Sequence, residues 1–204
     1  MMILKKSAIA ALTALTLSAG ANASPINFTG NIANQNDVVY TSFHLGTDAT
    51  NVRVWTDSFQ NATNFDPITA LWNATTGALI AQNDDDPSVN PSTQTYYDSG
   101  FTLANLAAGD YLFTVATYAN FAVGQTLAQG FAYGNDAPIP LSQWCEPANH
   151  CNMGTYWSVW LDGVDSATNT GTTPPTTSVP EPSSLALLAA GILGLGFTRR
   201  FNRK

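Results

Sequence analysis

The chain has very few basic residues outside its two ends. Lysine and arginine together number 7 among 204 residues, and only Arg53 lies between Ser24 and Ser178. The same stretch contains twelve aspartates and one glutamate, so it is far more acidic than the net charge of -7 for the whole chain suggests. A surface of this sign repels nucleic acid and anionic lipid headgroups and favours cations, which argues against a nucleic-acid-binding protein.

The motifs of common hydrolases are also missing. The chain has only two histidines, His44 and His150, and neither G-x-S-x-G nor H-E-x-x-H occurs. His44 lies in a candidate strand, where an ordinary strand side chain is expected. A pair of carboxylates can hydrolyse a glycosidic bond, but some pair is inevitable in so acidic a chain. We therefore expect no catalysis.

The N-terminus carries the features of a secretory signal peptide. Lys5 and Lys6 precede a short apolar run, Ala8–Leu17, and Ala21 and Ala23 have the small-residue spacing of a cleavage site. The apolar run is too short to cross a bilayer as a helix. We predict that residues 1–23 are a signal peptide and that the protein is exported.

The C-terminus combines a short apolar segment with a basic end. Val179, Pro180, Glu181 and Pro182 precede an uncharged run that ends at a basic cluster beginning with Arg199 and Arg200. The run is at the lower limit of length for a membrane-spanning helix, and its basic end is expected on the cytoplasmic side. This pattern predicts a single hydrophobic helix that inserts transiently into the inner membrane, with the body of the protein outside.

This order of features resembles the C-terminal sorting signal of PEP-CTERM proteins of Gram-negative bacteria. The resemblance rests on Val-Pro-Glu-Pro at residues 179–182, on the short apolar span and on Arg199 and Arg200. It implies processing of residues 179–204 by an exosortase and delivery to the cell surface or the extracellular space. It also implies exopolysaccharide as a partner, because these bacteria make such a matrix.

The sequence pattern between the two ends predicts strands rather than helices. Six segments are rich in β-branched and aromatic residues or flank turn signals, and no long amphipathic helical pattern occurs. They are Val38–Leu45, Asn51–Phe59, Ile68–Asn73, Ala78–Asn83, Tyr111–Ala119 and Thr155–Gly163. The turn residues "ATTG" between the third and fourth segments predict a hairpin. We predict an all-β fold, an antiparallel β-sandwich or jelly roll, over residues 24–165. Residues 166–178, rich in threonine, serine and proline, are predicted to be a linker.

Part of this stretch resembles bacterial pre-peptidase C-terminal-type β-sandwich domains. The likeness is carried by "ITALWNATTGALIAQNDDDPS" and by Ala108, Gly109, Asp110 and Tyr111, followed by Val115. It implies a jelly-roll module of the kind that accompanies secreted enzymes. No enzyme domain accompanies it in this sequence.

An acidic loop offers oxygen ligands at alternating positions. Asp84, Asp86, Ser88 and Asn90 follow the spacing D-x-D-x-S-x-N, and hard cations such as Ca²⁺ bind oxygen ligands in loops of this kind. An EF-hand is excluded by the missing glycine and glutamate of that motif. The calcium hypothesis therefore concerns a different loop site, and a solvated acidic loop explains the same residues equally well. The candidate ligands are Asn83, Asp84, Asp85, Asp86, Asn90 and Asp98.

The two cysteines lie six residues apart, at Cys145 and Cys151. In an oxidising exterior this spacing favours a disulfide. A metal site of both cysteines with His150 is the alternative, but it lacks an obvious fourth ligand.

Three tryptophans near the end of the body are candidates for ligand contact. They are Trp144, Trp157 and Trp160. Exposed rings stack on sugars, whereas buried rings fill a core, and the spacing of Trp157 and Trp160 predicts opposite faces of a strand. We therefore expect a non-catalytic secreted or cell-surface protein associated with an extracellular polysaccharide matrix. The alternative is a carbohydrate-binding or adhesive module stabilised by calcium.

Overall fold

The computed structural model describes residues 24–175, which form nine β-strands and two short 3-10 turns. The strands are β1 (Ile26–Asn31), β2 (Val38–Leu45), β3 (Ala49–Thr56), β4 (Pro67–Asn73), β5 (Leu79–Asn83), β6 (Gly100–Leu106), β7 (Gly109–Thr117), β8 (Tyr156–Asp162) and β9 (Ser166–Gly171). The 3-10 turns are Leu127–Gln129 and Leu141–Gln143. The predicted signal peptide and sorting segment lie outside the described residues, as does the predicted hydrophobic helix.

The strands form two antiparallel sheets. The four-stranded sheet has the order β1-β8-β3-β6 and the five-stranded sheet has the order β5-β4-β7-β2-β9. All paired neighbours in both sheets run antiparallel. The predicted all-β class is confirmed, and the arrangement is consistent with a β-sandwich.

One hydrophobic core is built from strands of both sheets. Because side chains alternate along a strand, each sheet contributes every second residue to this core. The five-stranded sheet supplies Phe43, Phe113 and Val115, and the four-stranded sheet supplies Trp157 and Val159. All five side chains are buried.

β4 is buried on both of its faces. Leu71 belongs to the main core, whereas its neighbour Trp72 belongs to a second cluster with Ala70 and Leu112. Side chains of the connection after β7, including Phe131, pack against this second cluster. The Trp72 indole N–H donates to the Thr114 hydroxyl at 2.9 Å, so its polar atom is satisfied inside the protein.

The predicted hairpin between β4 and β5 is confirmed. The Asn73 side chain accepts hydrogen bonds from the backbone N–H groups of Thr75 and Thr76, at 3.1 and 2.8 Å. Gly77 has φ of 70°, a conformation that glycine adopts without steric cost. In the resulting register Thr69 lies opposite Asn83, so the start of β4 and the end of β5 share one edge.

The structure corrects two predicted boundaries. The predicted linker began at residue 166, but Ser166–Gly171 is strand β9, which pairs with β2. Its six residues include no large apolar side chain, so its sequence resembles a spacer although backbone pairing holds it at the sheet edge. The predicted strand Asn51–Phe59 ends at Thr56, and Phe59 turns inward to become fully buried. Strands β1 and β6 were not predicted.

Within residues 24–175, no helix has the length and apolar character required to cross a membrane.

Removal of β9 is expected to destabilise the sandwich. A chain that ends at Asp165 loses the β2–β9 backbone pairs and the 2.7 Å hydrogen bond from the Asn169 amide to the Thr41 hydroxyl. We expect its free energy of unfolding to be about 2–5 kcal/mol below that of a chain ending at Pro175, since each lost bond contributes roughly 1 kcal/mol. Urea denaturation of the two truncated chains measures the difference. Equal midpoints would show that residues 166–175 act only as a spacer.

Candidate metal centre

Two of the loop aspartates meet a third aspartate at the shared edge of β4 and β5. Asp66 directly precedes β4, and Asp84 and Asp85 directly follow β5. Because the start of β4 and the end of β5 lie at one edge, the three carboxylates come together. One oxygen from each lies within 4.8 Å of the others.

The disulfide loop brings a fourth carboxylate next to Asp66. Cys145 and Cys151 are bonded, which excludes the alternative metal site that used both cysteines. Both cysteines are exposed, yet the Glu146 side chain between them is only 1% exposed, because the loop turns it inward. Ligand atoms of Asp66, Glu146 and His150 also lie within 4.8 Å of one another.

His150 holds the glutamate in position. Its Nδ1 pairs with Oε1 of Glu146, and the backbone N–H of Glu146 donates to the His150 carbonyl at 3.0 Å. The imidazole ring packs beside the rings of Tyr97 and Phe59, with centroids 5.7 and 6.3 Å away. The remaining glutamate oxygen, Oε2, is therefore free of His150.

The crowding of acids in a buried place changes their proton affinity. Burial, followed by the negative charges of Glu146, Asp85, Asp84 and Asp98, raises the pKa of Asp66 to about 8. Burial and the neighbouring Asp84 and Asp98 raise the pKa of Asp85 to about 6. Burial also raises the pKa of Glu146, although the hydrogen bond from His150 opposes this effect.

The structure divides the predicted calcium ligands. Asp84 and Asp85 belong to the carboxylate cluster, whereas Asp86 and Asp98 do not belong to it among the described residues. Asp86 accepts hydrogen bonds from the backbone N–H and the hydroxyl of Ser88, at 3.0 and 2.5 Å, and so forms a local turn. Asn90 accepts from the Ser92 hydroxyl at 2.6 Å. The alternating spacing therefore builds turns rather than one shell of ligands.

Asp98 is a structural residue. Its Oδ1 accepts from the Phe59 N–H and the Thr56 hydroxyl at 3.0 and 3.2 Å, and its Oδ2 accepts from the N–H and hydroxyl of Thr95 at 2.8 and 2.9 Å. The side-chain amide of Asn83 also bonds to the backbone, because it donates to the Gly100 carbonyl at 3.0 Å. Both residues secure the long connection between β5 and β6.

Sequence reasoning missed Asp66 and Glu146. Glu146 is the sole glutamate between Ser24 and Ser178, and it lies inside a six-residue cysteine spacing. That combination was a usable signal. Asp66 offered less, because an aspartate before a proline at the start of a strand is a common turn feature.

The three candidate tryptophans occupy different environments. Trp157 is in the core and is 4% exposed, so its ring is unavailable to a ligand. Trp160 lies half-buried on the other face of β8, stacked on Trp55 with ring centroids 6.0 Å apart. The predicted opposite faces are confirmed. Trp144 is half-buried and lines a surface groove together with Tyr133.

His44 lies in β2, as predicted, and pairs with Asp110 on β7 at 2.7 Å. Half or more of each side chain is exposed, and exposed pairs of this kind contribute little to stability.

Comparison with known families identifies the C-terminal segment. Residues 178–200 match the PEP-CTERM protein-sorting motif. This motif implies export, processing by an exosortase and a location at the cell surface or outside the cell. Neither the curated proteins nor the solved structures yielded a match to the chain.

Stability without divalent cations is expected to fall as pH rises. The folded-state pKa of Asp66, about 8, lies above its ordinary value of 3.8, so the folded protein holds a proton that the unfolded chain releases. The resulting stabilisation is present below about pH 4 and is lost as pH rises towards 8. In a chelating buffer we expect Tm at pH 8 to lie at least about 3 °C below Tm at pH 5.

An Asp66→Asn variant tests the assignment of this effect. Asparagine does not titrate, so the difference in Tm between pH 5 and pH 8 is expected to shrink. The exposed Asp136→Asn substitution is the matched control and should leave the difference unchanged, because no ionisable side chain within residues 24–175 pairs with Asp136. An equal slope in Asp66→Asn and in the unmodified protein would place the responsible group elsewhere.

Proposed function

We propose that this chain is a non-catalytic secreted protein that an exosortase system delivers to the cell surface, where it associates with extracellular polysaccharide. The observation that carries the proposal is the sorting motif at residues 178–200. The motif begins at residue 178, after the last described strand has ended at Gly171. Cleavage within the motif would therefore leave all nine strands in the mature protein.

The charge of the body supports an extracellular location and a partner other than nucleic acid. Arg53 is the sole lysine or arginine between Ser24 and Ser178, and it is bound to Asp162 at 2.6 Å. An acidic surface stays soluble and repels polyanions. The resemblance to pre-peptidase C-terminal-type domains points to the same class of secreted β-sandwich modules.

A second candidate function is carbohydrate binding or adhesion by a calcium-stabilised module. It is favoured by the groove beside the disulfide loop, which has a volume of about 350 Å³. Trp144 and Tyr133 meet edge to face in this groove, with centroids 6.0 Å apart, and the exposed Ile139 extends its apolar surface. Aromatic side chains with one apolar face and one polar group suit a sugar ring.

Processing of the tail tests the first proposal. In a host with an exosortase, we expect the mature protein to lack the apolar segment after Pro182, and intact mass spectrometry measures its C-terminus. Replacement of Pro180, Glu181 and Pro182 by alanine is expected to leave the tail in place. The matched control replaces Pro174 and Pro175 by alanine and should be processed normally. Normal processing of the first variant, or of the unmodified chain in a host without exosortase, would contradict the proposal.

Glycan binding tests the second candidate. If the groove holds a sugar, Trp144→Ala is expected to lower affinity on a glycan array by about tenfold, since one stacked ring contributes roughly 1–1.5 kcal/mol. Trp160→Ala removes a half-exposed ring from another surface and should leave affinity unchanged. Loss of binding in Trp160→Ala alone would instead place the ligand on the face of the four-stranded sheet.

The non-catalytic assignment fails if the protein degrades labelled polysaccharide and Asp→Asn substitutions stop the degradation.

A further inference from the structure

Three carboxylate oxygens in the cluster are buried without any partner. They are Oδ1 of Asp66, Oδ1 of Asp84 and Oε2 of Glu146, none of which has a hydrogen-bond partner in the described part of the chain. Asp66 is 4% exposed and Glu146 is 1% exposed. Burial of an unpaired carboxylate is costly, so such groups either hold protons or bind a cation.

No lysine or arginine of the described residues pairs with these carboxylates. Arg53 donates to Asp162 through both Nε and Nη2, at 3.2 and 2.6 Å, and to the Val89 carbonyl at 3.2 Å. Its guanidinium also lies over the Trp55 ring, 5.2 Å from the centroid. His150 pairs with Oε1 of Glu146 and so offsets part of the charge of that carboxylate, but it leaves Asp66 and Asp84 without a cationic partner.

The spacing of the oxygens fits a single ion. Asp66 belongs to both groups whose ligand atoms lie within 4.8 Å of one another, so it joins Asp84 and Asp85 on one side to Glu146 on the other. Ligands that surround one Ca²⁺ at about 2.3–2.6 Å are separated by at most about twice that distance. The separations within each group therefore suit ligands of one ion of this size, and Asp66 is common to both groups.

We propose that Asp66, Asp84, Asp85 and Glu146 form a Ca²⁺ site at the edge where β4, β5 and the disulfide loop meet. The four side chains offer only oxygen, which favours a hard cation over zinc. His150 is a positioning residue that holds Glu146 through its other oxygen. Asp85 is exposed and leaves a route by which water completes the coordination.

The site joins segments that are distant in the sequence. Asp66 and Glu146 are buried side chains that are far apart in the sequence and close in space. An ion between them would connect the disulfide loop to the five-stranded sheet. The same loop contributes Cys145 and Pro147 to the groove lined by Trp144. The proposed site names the residues that would bind calcium in the second candidate function, the calcium-stabilised carbohydrate-binding module. Its biological role depends on that candidate function, but calcium binding itself requires neither a sugar nor the sorting tail.

Calorimetric titration of the purified protein with CaCl2 tests the site directly. We expect binding of one ion with Kd in or below the range of about 10⁻⁴–10⁻³ M that extracellular modules show. Addition of about 10 mM CaCl2 should raise Tm by about 3 °C or more, because the ion binds the folded state alone. If the titration gave no heat of binding and CaCl2 did not shift Tm, the proposal would be overturned. The carboxylates of the cluster would then be neutralised by bound protons.

Substitutions identify the ligands. Asp66→Asn and Glu146→Gln are expected to weaken Ca²⁺ binding by at least about tenfold while near-isosteric side chains keep the packing. Asp85→Asn is a third variant at an exposed position, and it keeps the test valid if either buried substitution prevents folding. Asp86→Asn is the matched control in the same loop and should bind as the unmodified protein does. Unchanged affinity in the first three variants, or loss in Asp86→Asn alone, would overturn this ligand set.

Competing metals and sugar binding separate the remaining outcomes. Tighter binding of ZnCl2 that is lost in His150→Gln would replace the calcium assignment with a zinc site. Glycan binding that persists in a chelator, together with a positive CaCl2 titration, would keep the ion site and reject a role for calcium in recognition. Failure of glycan binding with retained Ca²⁺ binding would reject only the second candidate function.

Discussion

The burial of β4 on both faces is the constraint on which the rest of the site depends. Leu71 is fixed in the core between the sheets and Trp72 in the cluster on the outer face, and both are fully buried. A shift of β4 by one residue would exchange these two environments, so the strand is held in one register. Asp66, which directly precedes the strand, is thereby held inside the protein instead of turning towards solvent.

Asp66 and Asp98 show how the same side chain is accommodated in two ways. Both are almost completely buried, and burial raises the pKa of each. Asp98 accepts four hydrogen bonds, which oppose this rise in pKa. The same bonds hold the connection between β5 and β6 in place. Asp66 faces other carboxylates and keeps an unpartnered oxygen. The two aspartates thus differ in the hydrogen-bond donors around them and not in their burial.

The described body and the sorting segment have separate tasks. The motif at residues 178–200 implies sorting by an exosortase, and it follows the last strand of the sandwich in the sequence. The binding functions proposed above concern the described body alone. Cys145 and Pro147 of the disulfide loop line the groove beside Trp144, and Glu146 of the same loop belongs to the carboxylate cluster. The proposed ion site and the proposed sugar-binding groove therefore share this loop.

The sequence alone determined the features that depend on neighbouring residues. Alternation predicted β2 with its observed bounds, the turn residues predicted the β4–β5 hairpin, and the order of the C-terminal residues carried the sorting motif. The spacing of Cys145 and Cys151 likewise favoured the disulfide that the structure contains. Each of these signals lies within a few consecutive residues, where local geometry and chemistry suffice.

Tertiary structure decided what depends on distant residues. β9 has no apolar pattern and exists because the edge of β2 offers backbone partners. Asp84 and Asp85 were predicted as ligands, but Asp66 beside them comes from the start of another strand, and Glu146 beside Asp66 comes from a disulfide loop. No local spacing encodes that meeting. It follows from the register of β4 against β5 and from the inward turn of Glu146, which only the packed chain fixes.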